Sequence, residues 1–532
     1  MPCLEAWRKS DTLTPDMKHS TSVPIIDIFA GPGGLGEGFS AYTDTHGRRP
    51  FQIALSVEKD AVAHKTLLLR SFFRRFEDGC VPEAYYDRLR QQLTTTELFA
   101  AHPREAAAAR EESWNATLGD ESSTPLHVLR RRVRETLRRF PDGENRWVLI
   151  GGPPCQAYSL VGRSRNRGKA GYRLEDDPRA RLYLEYLQII GDFWPAVFVM
   201  ENVRGLLSAR FDGQPVIDLI LADLSEPAAA LRRNGRHPRT GRKVHRYVLR
   251  PITRDGLLPC STDYLLRSEK HGIPQARHRV IIVGLREDVD RELRLLEFNK
   301  GPSTYEMLRD LPHLRSGLSK EPDNFGAWRG ALAETSRCGL PADLRREVRG
   351  LVEQMKAPFP SDRGGEFVPG DPCIQYHRED WFVDLRFRGF CNHQSRSHIR
   401  NDLHRYLFAA LFAKQHGRSP DLSAFPSLLL PNHRNAQDAA RGVHFADRFR
   451  VQVRDRHSTT ITSHISKDGH YFIHYDPSQC RSLTVREAAR LQTFPDNYFF
   501  EGPRTAQYTQ VGNAVPPLLA RQIAESVAGI FD

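Results

Sequence analysis

Cys155 stands in the string GGPPCQAYS (151–159), directly behind the apolar run WVLI (147–150). Pro153 and Pro154 fix φ at two successive residues, so the thiol that follows is presented in one direction. Such a cysteine is either a nucleophile or a packing residue, since free cysteines are most often buried as small apolar groups. As a nucleophile it needs activation, because an ordinary thiol is only a few per cent ionised near neutral pH. Glu201 follows a second apolar run, residues 196–200. It is an acid that can give a proton or hydrogen bond if burial raises its pKa, or a strand-end cap for the turn that follows. Asn202, beside it, is expected to orient that turn. Arg277 and Arg279 alternate in QARHR and so share one face at the start of a strand.

A second cluster can hold a cofactor. The turn AGPGGLGEGF (30–39) follows a strand and opens a helix, which lets backbone N–H groups meet an anion. Glu58 ends the next strand and can accept both hydroxyls of a ribose. Any adenosine cofactor would suit this pair, with NAD the default for a glycine-rich βα turn. The spacing GPGGLG, however, departs from the dinucleotide fingerprint GxGxxG. S-adenosylmethionine needs a nucleoside pocket and an anion site but no pyrophosphate cradle, and fits the shorter pattern better. Asp120, in LGD (118–120), either accepts from the adenine amine or is a solvated loop acid.

The elements that must position these residues alternate. Strands are expected at 24–29, 52–58, 147–150, 196–200 and 279–284, with helices from 37, over 61–76, over 484–493 and after Pro517. Alternating strand and helix implies a parallel sheet covered on both faces, an α/β fold of Rossmann-like type. Residues 79–140, rich in alanine and arginine, read as a helical insertion. Residues 1–22 read as a loose polar arm. Beyond about 290 the βα rhythm stops, and 291–446 reads as a smaller irregular domain. Order returns at 447.

Composition narrows the function classes. The 532 residues suffice for two or three domains, and a formal charge of +12 points toward a polyanionic partner. The eight cysteines form no CxxC pair, so neither a disulfide framework nor a zinc knuckle is suggested. Cys373, His377, Cys391 and His393 match no zinc spacing, and no metal is expected. With no apolar run of eighteen residues and no hydrophobic signal core, a soluble cytosolic protein is expected. The stretch LVGRSRNRGKAGY (160–172) combines glycines with arginines, either a closing loop that meets phosphates or a solvated basic loop.

Seven strings, in family order, resemble the motifs of a bacterial-type DNA cytosine-5 methyltransferase: DIFAGPGGLGEGF (27–39), VEKDAVAHKT (57–66), GGPPCQAYS (151–159), VMENVRGLL (199–207), HGIPQARHRVIIVG (271–284), SLTVREAARLQTFPD (482–496) and QVGNAVPP (510–517). The resemblance spans most of 23–290 and 447–532, which it makes the catalytic domain, leaving 291–446 to recognise the target. It implies double-stranded DNA as substrate and S-adenosylmethionine as methyl donor. Phe29, Ala30, Gly31, Gly33, Gly34, Leu35, Glu58, Asp120 and Pro153 would line the cofactor site, which Asn513 and Val515 complete. Cys155 would add to C6 of an extruded cytosine, Glu201 would serve N3, and Arg279 and Arg277 would serve the base O2 and the active-site loop. Gln156, Ser159, Arg163, Arg165 and Gln275 would meet the DNA. A monomer working beside a restriction or phage-defence system in the bacterial cytosol is the expected setting. Two alternatives are an RNA cytosine-5 methyltransferase of the same fold and a catalytically idle DNA-binding regulator. The RNA-acting relative is compact and carries a Cys-Phe-Thr tripeptide that this chain lacks, and a mere binder would need none of Cys155, Glu201 and Arg279.

Overall fold

Five apolar runs become strands of one sheet, and three strands join them that carry no such run. The computed structural model describes residues 22–154, 178–211, 213–239, 241, 243–254, 259–356, 362–371, 379–431 and 448–531. The strands are β1 (Val23–Ile28), β2 (Phe51–Glu58), β3 (Ser113–Asn115), β4 (Val148–Gly151), β5 (Val197–Val203), β6 (Tyr247–Arg250), β7 (Leu265–Arg267) and β8 (His278–Arg286). Their order is β3-β2-β1-β4-β5-β8-β6, with β7 also paired to β8.

From β3 to β5 every pairing is parallel. β8 runs antiparallel to β5, β6 and β7. The expected all-parallel sheet is thus corrected at one strand. Its cause is the connection: β8 turns back on β7 through residues 268–277, a link too short for a helical crossover. A second correction falls within 79–140. Ser113–Asn115 is a strand on the edge of the main sheet rather than part of a helix. Three residues holding one aromatic carry no readable period.

Alternation along the strands sends side chains to two cores. Ile25, Ile53, Val197, Val199 and Ile281 pack with Leu35 and Phe39 of α1 (Gly34–Ala41) on one face. Ile26, Leu55, Leu149, Phe198 and Ile282 pack with Tyr186, Leu187 and Ile190 of α3 (Pro178–Phe193) on the other. Between them in the chain runs α2 (Ala61–Phe73), capped by the Asp60 carboxylate on the amides of Val62 and Ala63. Helices therefore cover both faces of a Rossmann-like sheet.

Residues from 291 onward bring a core of their own, in which Trp328, Leu344 and Val348 pack against Leu403 and Leu407 of α4 (Arg400–His416). Packing nevertheless runs on across residue 290, because Met307, Leu308, Trp381 and Phe390 join the sheet-side core. The C-terminal part supplies α5 (Val485–Leu491), α6 (Arg504–Asn513) and α7 (Pro517–Ala528). Thr484 caps α5 with a capping box closed by Glu487. Among the described residues no helix is long and apolar enough to cross a membrane, and no group of three metal-ligating side chains comes together. The N-terminal arm, Ser22 apart, lies outside the described residues, as do Cys373 and His377. Cys391 and His393 are buried, the thiol donating to the Asp496 carbonyl and His393 Nδ1 lying 2.9 Å from Thr484 Oγ1.

Candidate active site

The order β3-β2-β1-β4-β5 reverses direction between β1 and β4. Open α/β sheets bind ligands in the crevice at such a switch point, beyond the carboxyl ends of the two strands. The turns that flank it are those singled out by sequence, residues 29–33 after β1 and 152–154 after β4. Phe29, Gly31 and Gly33 all have left-handed backbones, with φ of 58°, 59° and 98°. They curl the chain so that Gly31 N–H donates to Glu58 Oε2 at 2.8 Å. The second Glu58 oxygen accepts from Asp60 N–H at 2.7 Å, and burial pushes its carboxyl above the usual range. Each oxygen keeps a lone pair for a hydroxyl donor. A Cβ built on Gly31 would meet nothing within 4 Å, so this turn faces open space.

The far end of the chain closes the same turn. A Cβ on Gly34 would lie 2.3 Å from the Val515 carbonyl oxygen, so only glycine lets the two backbones touch. Tyr498 donates its hydroxyl to the Pro32 carbonyl, and Thr66 donates to Gln510 Oε1 at 2.6 Å. Asn513 is exposed at the end of α6, while Ala30 and Leu35 are buried. Asp120 sits in the loop after β3, where Ser122 and Ser123 donate to its carboxylate and hold it low. Glu185 flanks that loop, its Cγ 3.2 Å from where a Cβ on Gly119 would stand. Asp27, fully buried on β1 beneath the turn, has its carboxyl pushed up to about 8 by burial.

On the β4 side, Cys155, Gln156, Ser159, Arg163 and Arg165 lie outside the described residues. The turn leading to Cys155 is braced from β5: Asn202 Nδ2 donates to the Pro153 carbonyl at 3.1 Å, and Asn202 Oδ1 accepts from Val203 N–H at 2.9 Å. Glu201 pairs with Arg279 at 2.7 Å, with side-chain exposures of 14% and 11%. Gly152 makes the room, since a Cβ there would lie 2.7 Å from Glu201 Oε2. Burial lowers the Arg279 guanidinium's pKa, and Glu201 opposes the shift.

Two residues go elsewhere. Arg277 is buried and donates to the carbonyls of Ile461 at 2.7 Å and Gly512 at 3.2 Å. It ties β8 to the C-terminal segment rather than reaching into the crevice. Gln275 is fully buried, with its amide donating to the Leu491 carbonyl and Gln492 Oε1 and accepting from Ile461 N–H. Its amide is thus engaged within the fold, between the strand start before Arg277 and the C-terminal segment. Sequence reasoning missed Gly152, Tyr498 and the reach of Asn202 to Pro153. Only the glycine had a local signal, in the doubled GG of GGPPC.

Comparison with known proteins agrees on one family. The C-5 cytosine-specific DNA methylase family matches residues 131–226 and 396–529. Type II methyltransferase M.Bpa9945I of Bacillus paralicheniformis is 32% identical over 529 residues, covering 96% of this chain and 99% of that protein. Type II methyltransferase M.AgeI of Thalassovita gelatinovora is 27% identical, over 75% of this chain and 86% of that protein. DNA (cytosine-5-)-methyltransferase M.ApeKI of Aeropyrum pernix is 28% identical, over 72% of this chain and 81% of its own.

Proposed function

The chain belongs to the C-5 cytosine-specific DNA methylase family and is a DNA cytosine-5 methyltransferase; from that premise we propose how its residues carry out the transfer. A cytosine inside a duplex cannot be reached on both ring faces, so it is extruded at a cost of a few kcal/mol. The Cys155 thiolate adds to C6, which places an electron pair on C5 and charge toward N3 and O2. Glu201 gives the hydrogen bond or proton at N3, and Arg279 both fixes Glu201 and faces O2. After transfer water takes the C5 proton, the freed electron pair re-forms the C5–C6 double bond, and the C6–S bond breaks to return the thiolate. Asn202 holds the Pro153 carbonyl and so aims the turn that carries Cys155. The observation that carries this reading is the Glu201–Arg279 pair, seated on Gly152 where β4 hands over to the Cys155 turn.

The cofactor fit rests on the left-handed turn. Gly31 N–H bound to the Glu58 carboxylate and free space over Gly31 suit S-adenosylmethionine. Glu58 would take the ribose, Asp120 the adenine amine, and residues 29–35 with Pro153, Asn513 and Val515 the remainder. Bound there, it supplies an electrophilic methyl group. We assign target recognition to 291–446 and loop closure to 160–172, with Arg163 and Arg165 on phosphates and Gln156 and Ser159 near the base. Several relatives are named type II methyltransferases, which supports a restriction-modification setting. Cys155→Ala should abolish transfer of tritiated methyl to DNA, and undiminished transfer would sink the mechanism. DNA bearing 5-fluorocytosine should trap a covalent complex through Cys155, visible as a gel-shifted adduct. Bisulfite sequencing of DNA from an expressing host reads out the target motif.

A further inference from the structure

Beside the strand that carries Arg279 lies a cavity of about 250 Å³ whose wall includes three cations, Arg418, Arg450 and Arg456. Ala276 forms part of that wall. Three residues on is Arg279, at most ~11 Å along even a fully extended chain. A nucleic-acid strand rises about 3.4 Å per nucleotide, so the cavity is within about three nucleotides of a base held at Arg279.

The floor is rigid and offers a donor. Residues 458–459 pair with Gln275–Ala276, and Ser458 N–H donates to the Pro274 carbonyl at 2.8 Å. Thr459 N–H donates to Gln452 Oε1 at 2.9 Å, and Thr460 Oγ1 donates to the Ala276 carbonyl at 2.5 Å. Ser458 lines the cavity and is fully buried, and among the described residues its hydroxyl finds no partner. A buried hydroxyl without a partner costs free energy that a bound acceptor would return. Asp455, the one acid among residues 448–459, is paired with Arg454 at 2.8 Å. Asp421 is held low first by the Ser423 hydroxyl and only last by Arg418.

Arginines above a fixed hydroxyl donor form the pattern that grips a phosphodiester. We infer that this notch takes a backbone phosphate of the DNA strand flanking the target cytosine, with Ser458 as the neutral donor and Arg418 and Arg456 as the charges. The inference rests on the methyltransferase reading, and one experiment separates the two. Anisotropy of a fluorescein-labelled duplex is followed from about 50 to about 200 mM salt. Replacing both charges, Arg418→Gln with Arg456→Gln, should flatten the slope of log Kd against log salt by about 0.9, the share of one phosphate contact. Arg104→Gln, an exposed arginine on the helix leading to the other end of β3, should leave the slope as it is. A double variant as steep as wild type overturns the notch alone, whereas a wild type that binds no duplex overturns the methyltransferase reading and the notch with it. Ser458→Ala should weaken binding about 3- to 10-fold at constant slope and without lowering the unfolding midpoint; unchanged affinity removes the donor. Inorganic phosphate added at fixed ionic strength tests for a free-anion site: phosphate binding lost in the double variant while its duplex slope stays steep overturns the DNA assignment.

Discussion

Two interiors of this molecule are equally dry and differently built. Under the crevice, β1, β4 and β5 bury Ile25, Ile26, Ile28, Leu149, Ile150, Val197 and Phe198, all without measurable exposure. Around α5 the interior is made of charge. Arg481 pairs with Glu487 at 2.7 Å, and Arg490 spans Asp310 at 2.6 Å and Asp496 at 2.7 Å. Arg486 donates to the carbonyls of Cys391, Pro495 and Tyr498. Apolar strands need only volume and alternation, and many sequences supply both. A buried guanidinium needs particular oxygens, and Arg490 finds one 180 residues away at Asp310. Desolvation makes such pairs poor sources of stability. What they fix is geometry, here the seat of the residues around Asp310 against the C-terminal part.

That contrast breaks most visibly at Arg490. Arg490→Met removes a buried ion-pair partner from both Asp310 and Asp496 and should cost about 3–5 kcal/mol by denaturant unfolding. Replacing all three residues with apolar ones should recover most of that loss, whereas Leu149→Ala on the sheet side, about 2–5 kcal/mol, leaves a cavity that no second charge change repairs. A loss under about 1 kcal/mol for Arg490→Met would mean the charged interior is no more demanding than a surface pair.

The two interiors should also answer pH with opposite signs. The Asp27 carboxyl is pushed from 3.8 up to about 8 by burial, so the native state keeps a proton the unfolded chain has lost. Its contribution to stability therefore falls as pH rises across that window, and Asp27→Asn should flatten the fall. In the charged interior burial holds His393 and His474 down to about 4 from 6.5. Their contribution is lost as pH drops from 6.5 through about 4, and His393→Gln should blunt it. Unfolding midpoints of both variants across the range check the signs. Smaller again is a pair of glycines. Gly34→Ala drives a methyl into the Val515 carbonyl, costing about 1–3 kcal/mol and weakening S-adenosylmethionine binding. Gly31→Ala meets only its own left-handed backbone, about 1–2 kcal/mol, with space left above it.

Legibility in the sequence followed the same division. β1, β2, β4, β5 and β8 were readable because each is an apolar run, and Glu58 and Glu201 because each ends such a run. β3 was not, having three residues, and β6 hides in an arginine-rich stretch. The reversal of β8 leaves no mark, since a buried strand reads alike in either direction. QARHR could not separate its two arginines. Arg277 and Arg279 share a residue type and a spacing, and only the carbonyls of Ile461 and Gly512 against the carboxylate of Glu201 set their roles apart. Those partners are far off in the chain, where no local pattern reaches.

Closure of the glycine turn by Val515 has a consequence in time. Gln510, which binds Thr66, lies 444 residues after it. At about 5–20 residues per second of synthesis, it emerges roughly 20–90 s later. Throughout that interval the strands around Gly31 exist as an unsealed half-site. A chain released early would carry the glycine turn without the Thr66–Gln510 contact and the Val515 backbone that close over it.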